Sequence, residues 1–201
     1  LGAFATGFLL YGMALIYGST GSTKLSIITK VISEDKIISE PLMLMGVTLL
    51  IIGFGFKVAA VPFHMWAPDV YQGAPTPVTA FMAVGPKAAS LAAFYRIMSE
   101  TMPELSYSWE ILLCIISVLS MFIGNLGAIM QTNIKRLLAF SSVAHVGYLI
   151  IAIIAKNSLS ASSLMFYMLT YAFMVFGIFS IVILLGRKGE ENLELENYSG
   201  L

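Results

Sequence analysis

Residues 157–186 read NSLSASSLMFYMLTYAFMVFGIFSIVILLG and contain no charged side chain. A helix that crosses the roughly 30 Å apolar core of a bilayer needs about 20 mostly apolar residues, so this run is long enough. A strand of a membrane barrel would instead alternate apolar and polar residues over about ten positions. The stretch therefore predicts a transmembrane helix.

The same criterion, applied outward along the chain, finds five further apolar intervals. We expect six transmembrane helices in all, at residues 1–18, 41–62, 77–98, 109–131, 135–155 and 162–186. Residues 24–40 mix charges of both signs with Ser and Thr, which predicts a loop outside the membrane. The expected fold class is an all-α membrane protein, a polytopic helix bundle in which residues 1–201 form a single transmembrane domain.

The composition excludes most other classes of protein. The chain is 58% hydrophobic and 11% charged, whereas soluble domains carry roughly 25% charged residues, and disordered chains combine low hydrophobicity with high net charge. The net charge is zero, so we expect no nucleic-acid partner, which would need a clustered basic face. The single cysteine, Cys114, cannot form an internal disulfide.

The start of the chain indicates a piece of a longer protein. Leu1 is not a methionine and begins within an apolar run, and this run lacks the basic n-region of a signal peptide. We therefore expect an internal fragment, with a partner segment of the site lying outside these residues.

Five of the seven prolines lie between Pro62 and Pro86. Each proline removes a backbone donor and clashes with the preceding helical turn, so we expect a discontinuous helix around residues 57–75. Pro86 predicts a second disturbance, in the third span. Irregular backbone at membrane depth is tolerated only where protein or a water-filled cavity satisfies it, and broken helices in transporters often mark an ion site.

Two lysines fall inside the predicted spans, Lys57 toward one side of the second and Lys87 near the middle of the third. A lysine at a helix centre costs about 2.5–3.5 kcal/mol on insertion scales and is a functional hypothesis by default. A carboxylate that approaches or leaves a buried lysine changes the pKa of that lysine. The alternative is that either ammonium group snorkels to the interface, which is harder for Lys87.

The chain contains two histidines. His145 lies in mid-span near Ser141, Ser142 and Tyr148, which favours a role in proton relay, since imidazole titrates near neutral pH. His64 has two equal interpretations, a relay or a hydrogen-bonded interface residue beside Trp66. Two isolated histidines do not provide the three or four ligands of a metal site, so we expect no bound metal.

The remaining charges near the spans have simpler expected roles. Asp69 follows a proline and is expected to cap a helix or turn. Lys135 and Arg136 precede a span and are expected to be interfacial anchors. Glu110 stands near a helix start, where a carboxylate complements the helix dipole.

Two motifs carry a resemblance to a known family. Residues 61–78 (VPFHMWAPDVYQGAPTPV), followed by Lys87 and residues 133–148 (NIKRLLAFSSVAHVGY), closely resemble the antiporter-like membrane subunits of respiratory complex I. The DVYQGAP run is most similar to the subunit N family of NADH-quinone oxidoreductases, called subunit 2 in mitochondria and plastids. The resemblance spans nearly the whole chain, which is similar to the sixth to eleventh of about fourteen helices.

The resemblance implies roles for four residues. Lys57 matches the lysine of a broken helix that pairs with a glutamate on an earlier helix, and Lys87 matches the central lysine of the proton path. His145 matches a histidine that connects Lys87 to a further lysine on a later helix, and His64 matches the histidine of the Pro-Phe-His motif. Both the glutamate and the later lysine lie outside these residues. The family also implies that the even-numbered connections face the cytoplasm, matrix or stroma.

The function implied by the resemblance is proton translocation coupled to electron transfer in other subunits of a complex I-type NAD(P)H-quinone oxidoreductase. We expect no cofactor in this chain; NAD(P)H, FMN, iron–sulfur clusters and quinone would belong to partner subunits. The expected location is a bacterial cell membrane, with an organelle inner membrane or a thylakoid membrane as alternatives. The competing interpretations are an Mrp-type cation/proton antiporter subunit without redox partners and a purely structural anchor.

Overall fold

The computed structural model describes residues 2–35, 40–186 and 193–199. Within these ranges the chain is almost entirely helical and has no β-strand. The helices are α1 (Gly2–Thr20), α2 (Leu25–Asp35), α3 (Pro41–Val58), α4 (Trp66–Gly73), α5 (Thr76–Tyr95), α6 (Ser106–Ile129), α7 (Ile134–Ala155) and α8 (Ser160–Leu185). Short 3₁₀ turns occur at Pro103–Leu105 and Leu195–Tyr198.

Within the described residues, six helices are long and apolar enough to cross a membrane, which confirms the predicted all-α polytopic bundle. They are α1, α3, α5 with its extension to Thr101, α6 with the turn before it, α7 and α8. Their starts follow local sequence signals. Pro41 and Pro77 lie in the first turns of α3 and α5, where a missing backbone N–H is harmless. Asn133 caps α7 by accepting hydrogen bonds from two backbone amides of its first turn, at 3.0 and 3.3 Å.

The predicted loop at 24–40 is wrong over residues 25–35, which form the amphipathic helix α2; residues 36–39 lie outside the described ranges. Ile28 and Ile32 of α2 are buried, while charged Lys30 and Glu34 point outward as an i,i+4 pair. The hydroxyl of Thr29 also donates a hydrogen bond to the carbonyl of Thr101 at 3.1 Å. The apolar spacing of three and four residues, rather than the mixed charge, determines the local structure.

The predicted discontinuous helix is confirmed between α3 and α4. Helix α3 ends at Val58, where Ala59 adopts a left-handed conformation (φ 62°), and residues 59–65 form a non-helical turn before α4. The freed backbone groups find partners inside the protein: the amide of Val61 donates to Ser120 Oγ at 2.9 Å, and Trp66 Nε1 donates to the carbonyl of Phe56 at 3.0 Å. This satisfaction is what allows irregular backbone next to a membrane span.

The second predicted disturbance does not occur at Pro86, because α5 continues through this residue as an α-helix. Transmembrane helices accommodate a proline where neighbouring helices satisfy or shield the freed groups. Helix α5 changes its geometry only later, when it passes into a π-helical segment at Arg96–Thr101. We have no sequence-based account for that position.

The two ends of the bundle are different. The α4 end carries α4 together with the first turns of α5 and α7, and Lys135 Nζ of α7 donates to the carbonyl of Ala74 there at 3.0 Å. The α2 end carries α2 and the last turns of α5 and α7, which Ser99 joins by donating to the carbonyl of Ile153 at 3.2 Å. In the numbering of the predicted spans, the α4 end contains the even-numbered connections.

Helices α6 and α7 pack closely because a glycine faces the neighbouring backbone. A methyl group built on Gly124 would lie 2.5 Å from the backbone nitrogen of Ala144. Small residues at such crossings are the usual means by which helices associate in lipid, where no hydrophobic force brings them together.

We predict that Gly124→Ala lowers the thermal stability of the protein. The added methyl group forces α6 and α7 apart, and overpacking of this kind typically costs about 1–3 kcal/mol. Thermal unfolding of the detergent-solubilised protein measures the effect. Gly177→Ala on α8 is the matched control, since nothing lies within 4 Å of its new methyl group; equal loss in both variants would contradict the packing argument.

Candidate functional site

The side chain of Lys87 is buried in the middle of the bundle. It is 2% exposed, and its Nζ donates a hydrogen bond to Ser142 Oγ at 2.6 Å. The Ser142 hydroxyl in turn donates to the carbonyl of Ala139 at 2.7 Å, so it is free to accept from Lys87. No carboxylate within the described ranges forms an ion pair with this amine. Among the described residues, the Ser142 hydroxyl is therefore the polar group that holds this amine.

An aromatic ring covers the Lys87 amine on the α4 side. Nζ lies 5.7 Å from the centroid of the Tyr71 ring, within the range of a cation–π contact. Tyr71 is fully buried. Its hydroxyl is near Ser142 but forms no hydrogen bond with the described residues.

His145 shares a small cavity with Lys87, so the structure brings these two predicted site residues together. The cavity is lined by Lys87, Leu91, Ser142, His145, Val146, Leu149, Met168 and Tyr171, and it has no room for a water molecule. On its other side, His145 Nδ1 is 2.6 Å from the hydroxyl of Tyr167. The imidazole also packs against Tyr171, with ring centroids 5.0 Å apart.

Lys57 lies apart from this cluster. It is in the last turn of α3, where a cation complements the helix dipole, and its side chain is exposed on the surface of this chain. The expected pairing with a glutamate concerns a residue outside these 201, so it stays a prediction.

His64 lies in the turn between α3 and α4 and is partly buried. Its nearest aromatic neighbour is Phe140, with ring centroids 6.2 Å apart, and Nδ1 has no hydrogen-bond partner among the described residues. The neighbouring Trp66 stacks on Phe56 at 5.7 Å. No contact joins His64 to the cluster of Lys87 and His145 in the described part of the chain, and its role in proton relay remains a prediction.

The expectation that Lys135 and Arg136 are interfacial anchors is wrong, because both bind to the polypeptide. Lys135 is fully buried. Arg136 Nη1 forms an ion pair with Asp69 Oδ1 at 2.6 Å and a hydrogen bond with Gln72 Oε1 at 3.0 Å. Asp69 is accordingly not the cap of α4, whose N-cap position is Met65.

Glu110 also has a specific partner rather than only a helix dipole. Its carboxylate forms an ion pair with Lys156 Nζ at 2.8 Å. The same amine lies 5.2 Å from the centroid of the Trp109 ring. This contact joins the start of α6 to the end of α7 at the α2 end.

Comparison with known proteins identifies the family. The family model described as "NADH:quinone oxidoreductase/Mrp antiporter, TM" matches residues 1–201. The chain belongs to this family. Curated relatives include NADH-quinone oxidoreductase subunit N of Trichlorobacter lovleyi, 50% identical over all of this chain and 41% of the relative, and that of Chloroflexus aggregans, 46% identical over all of this chain and 42% of the relative. The chain thus spans about two fifths of the length of these proteins.

Solved structures of the same family have the same fold. A chain of respiratory complex I from Thermus thermophilus is 41% identical, with a TM-score of 0.77 over 97% of this chain and 40% of that chain. A chain of an archaeal membrane-bound sulfane sulfur reductase is 30% identical, with a TM-score of 0.88 over all of this chain and 41% of that chain. A chain of the Mrp complex from a Dietzia species is 25% identical, with a TM-score of 0.77 over 89% of this chain and 32% of that chain.

Sequence reasoning missed the tyrosines of this site. Tyr71 lies in α4, the helix before that of Lys87, whereas Tyr167 and Tyr171 lie in α8, far from Lys87 in sequence. Tyr167 and Tyr171 are spaced i,i+4 in an uncharged helix, which places them on one face, and this spacing is a signal that could have been used. The sequence analysis placed Ser142 near His145 as a polar neighbour. In the structure, Ser142 Oγ accepts a hydrogen bond from Lys87 Nζ.

We predict that Ser142→Ala lowers stability, while Ser141→Ala has little effect. The first variant removes the only hydroxyl that accepts from Lys87 among the described residues, and loss of a hydrogen bond to a charged or buried polar group costs about 1–3 kcal/mol. Thermal unfolding of both variants tests this difference. An equal effect on the two adjacent serines would show that the hydrogen bond contributes nothing specific.

Proposed function

We infer that the complete protein is the proton-translocating membrane subunit of a complex I-type NAD(P)H-quinone oxidoreductase, and that this chain supplies the central part of its proton path. The observation that carries this proposal is the buried amine of Lys87, joined to Ser142 and sharing a cavity with His145. An ionisable group held this deep without a carboxylate partner is costly. A proton-transfer role explains why such a group is retained.

The proposed path runs from Lys87 to His145. Neutral Lys87 accepts a proton at Nζ, and the resulting ammonium is held by Ser142 Oγ and the face of Tyr71. Transfer onward delivers the proton to the imidazole of His145, whose Nδ1 already contacts the hydroxyl of Tyr167. Because the cavity between the two groups has no room for water, the transfer step requires a widening of the space between α5, α7 and α8.

Lys57 and His64 are proposed to act on the input side of this path. The exposed side chain of Lys57 is able to pair with a carboxylate contributed from outside these 201 residues. Withdrawal of that carboxylate, driven by electron transfer elsewhere, would make Lys57 release its proton toward Lys87. His64, in the turn that follows Lys57, would relay it.

The electron chemistry is assigned to partner subunits. The curated relatives are named as subunits of NADH-quinone oxidoreductase, an enzyme complex, which supports this assignment. We propose NAD(P)H, FMN, iron–sulfur clusters and quinone as cofactors of those partners. We also propose that residues 1–201 form one transmembrane domain of a longer subunit in a bacterial cell membrane, with the α4 end toward the cytoplasm.

The second candidate function is that of an Mrp-type cation/proton antiporter subunit. It is favoured by the family description and by the likeness to the Dietzia Mrp complex. The higher identity to the Thermus complex I chain supports the first candidate. Co-purification distinguishes the two, since a redox complex brings flavin and iron–sulfur subunits and an antiporter brings only other membrane chains.

We predict that Lys87→Ala and Lys87→Met abolish coupled proton pumping and leave subunit assembly intact. Each variant removes the group that takes up the proton, and methionine preserves most of the volume. The measurement is the proton yield per electron in inverted membrane vesicles. Lys87→Arg is the milder variant, because arginine hardly deprotonates, and it is also expected to block the transfer.

The control for this experiment is Lys156→Ala, which removes an amine of the same helix bundle that pairs with Glu110 at its α2 end. We expect normal pumping from it. A normal proton yield in Lys87→Met would exclude the proposed path and favour the structural-anchor interpretation, under which removal of a buried charge is harmless or stabilising.

We predict a smaller but distinct effect for Lys57→Met. If Lys57 holds a carboxylate from outside the chain, its loss lowers the proton yield per electron without changing the stability of this bundle, because its side chain is exposed here. Proton yield and thermal unfolding are measured on the same preparation. Unchanged yield would remove Lys57 from the proton path.

A further inference from the structure

Tyr71 occupies the space between Lys87 and the α4 end of the bundle. Lys87 is eleven residues along α5 from Thr76, which corresponds to about 16 Å at 1.5 Å per residue. Tyr71 extends from α4 toward this depth, and its ring lies 5.7 Å from Nζ. Both side chains are buried, so the ring packs against the amine on the side from which α4 approaches.

The position of Tyr71 depends on contacts that α4 makes with α7. Helix α4 has only eight residues, and an isolated helix of that length is unstable in water. It is preceded by the non-helical turn at 59–65 and followed by the extended residue Ala74. Tertiary contacts, rather than helix propensity, must therefore hold it in place.

Two adjacent basic residues in the first turn of α7 provide these contacts. Arg136 binds Asp69 at 2.6 Å and Gln72 at 3.0 Å, and Lys135 donates to the carbonyl of Ala74 at 3.0 Å. The three acceptors lie before, within and after the last turn of α4. Charge-assisted hydrogen bonds of this length are strongly directional. They therefore fix the orientation of α4 relative to α7 as well as the distance between the two helices.

The exposure of the ion pair argues against a role in stability alone. The Asp69 side chain is 75% exposed, and exposed ion pairs contribute little to stability. A second contact of α4 is buried, where Thr79 Oγ1 of α5 donates to the carbonyl of Tyr71 at 3.0 Å. The exposed ion pair and the buried Tyr71 therefore lie on opposite sides of α4, a short helix that contacts with α5 and α7 hold in place.

We propose that Tyr71 is a positioning residue that closes Lys87 off from the α4 end, and that the Asp69–Arg136 ion pair holds it closed. In this arrangement Tyr71 regulates access from the α4 end to Lys87 in the proton path. This biological meaning rests on the proposed function. The geometric claim is separate: breaking an exposed ion pair on the surface opens a path to a buried amine in the bundle.

The test replaces Lys87 by cysteine in the complete subunit, assembled in its membrane, with native Cys114 changed to serine. A small, membrane-impermeant cationic methanethiosulfonate reagent is applied from the α4 end, and the rate of thiol modification is measured. We expect slow modification of Lys87→Cys alone. Adding Arg136→Gln or Asp69→Asn should raise the rate by up to about fivefold, the population change produced by losing an exposed ion pair.

Two variants provide the controls for the ion pair. Lys156→Gln breaks the ion pair that Lys156, just after α7, forms with Glu110 at 2.8 Å, and should leave the rate unchanged because this pair lies at the α2 end, away from α4. Arg136→Lys retains a cation and should restore most of the protection. The proposal is overturned if neither Arg136→Gln nor Asp69→Asn changes the rate, or if Lys156→Gln raises it equally.

The tyrosine is tested directly in the same cysteine background. Tyr71→Phe keeps the ring and should keep the protection, whereas Tyr71→Ala removes the ring and should give rapid modification. Equal protection in the two variants would show that the ring does not close the path. Because thiol modification requires no proton pumping, its outcome is independent of the outcome of the Lys87→Met experiment, and failure of one proposal is distinguishable from failure of the other.

Discussion

The Lys87 amine is a polar group that the bundle must accommodate where none of the described residues offers it a carboxylate. Within the described residues, its Nζ donates a hydrogen bond to Ser142 Oγ at 2.6 Å and lies over the ring of Tyr71. These partners come from α7 and α4, so burial of the amine on α5 requires three helices to meet at one depth. Helix α8 completes the enclosure with Tyr171, which lines the cavity shared with His145. The arrangement of four helices is thus organised around a single side chain.

The break between α3 and α4 is the second feature that this burial requires. Helix α3 ends at Val58, and α4, which carries Tyr71, begins at Trp66. The turn at 59–65 separates the two helices, and Ser120 of α6 satisfies the amide of Val61 inside the turn at 2.9 Å. The same interruption leaves Lys57 in the final turn of α3 with its side chain outward. One irregular segment therefore places one lysine at the surface of the chain and an aromatic cover over the other.

Local sequence signals were sufficient for the spans and for the break, because charge-free length and proline chemistry act on neighbouring residues. They were insufficient where a charge has a distant partner. Lys135 was interpreted as an anchor since nothing near it in sequence indicates that the carbonyl of Ala74 accepts its proton at 3.0 Å. Arg136 was misassigned for the same reason, since Asp69 is 67 residues away. Helix α2 is a different case, because its apolar spacing was visible and its mixed charge was given too much weight.

Helix α7 combines these features in a way that explains its central position. Its first turn binds α4 through Arg136 and Lys135, and the residue that follows its last turn, Lys156, binds α6 through Glu110 at 2.8 Å. Between these ends lie Ser142 and His145, three residues apart and therefore on one face. The terminal ion pairs are partly exposed and add little stability, but they fix the register of α7 against α4 and α6. A register shift of α7 by one residue moves it about 1.5 Å along its axis and turns it by about 100°. This turn would take Ser142 off the face that meets Lys87, so the charged ends of α7 set the geometry of its uncharged middle.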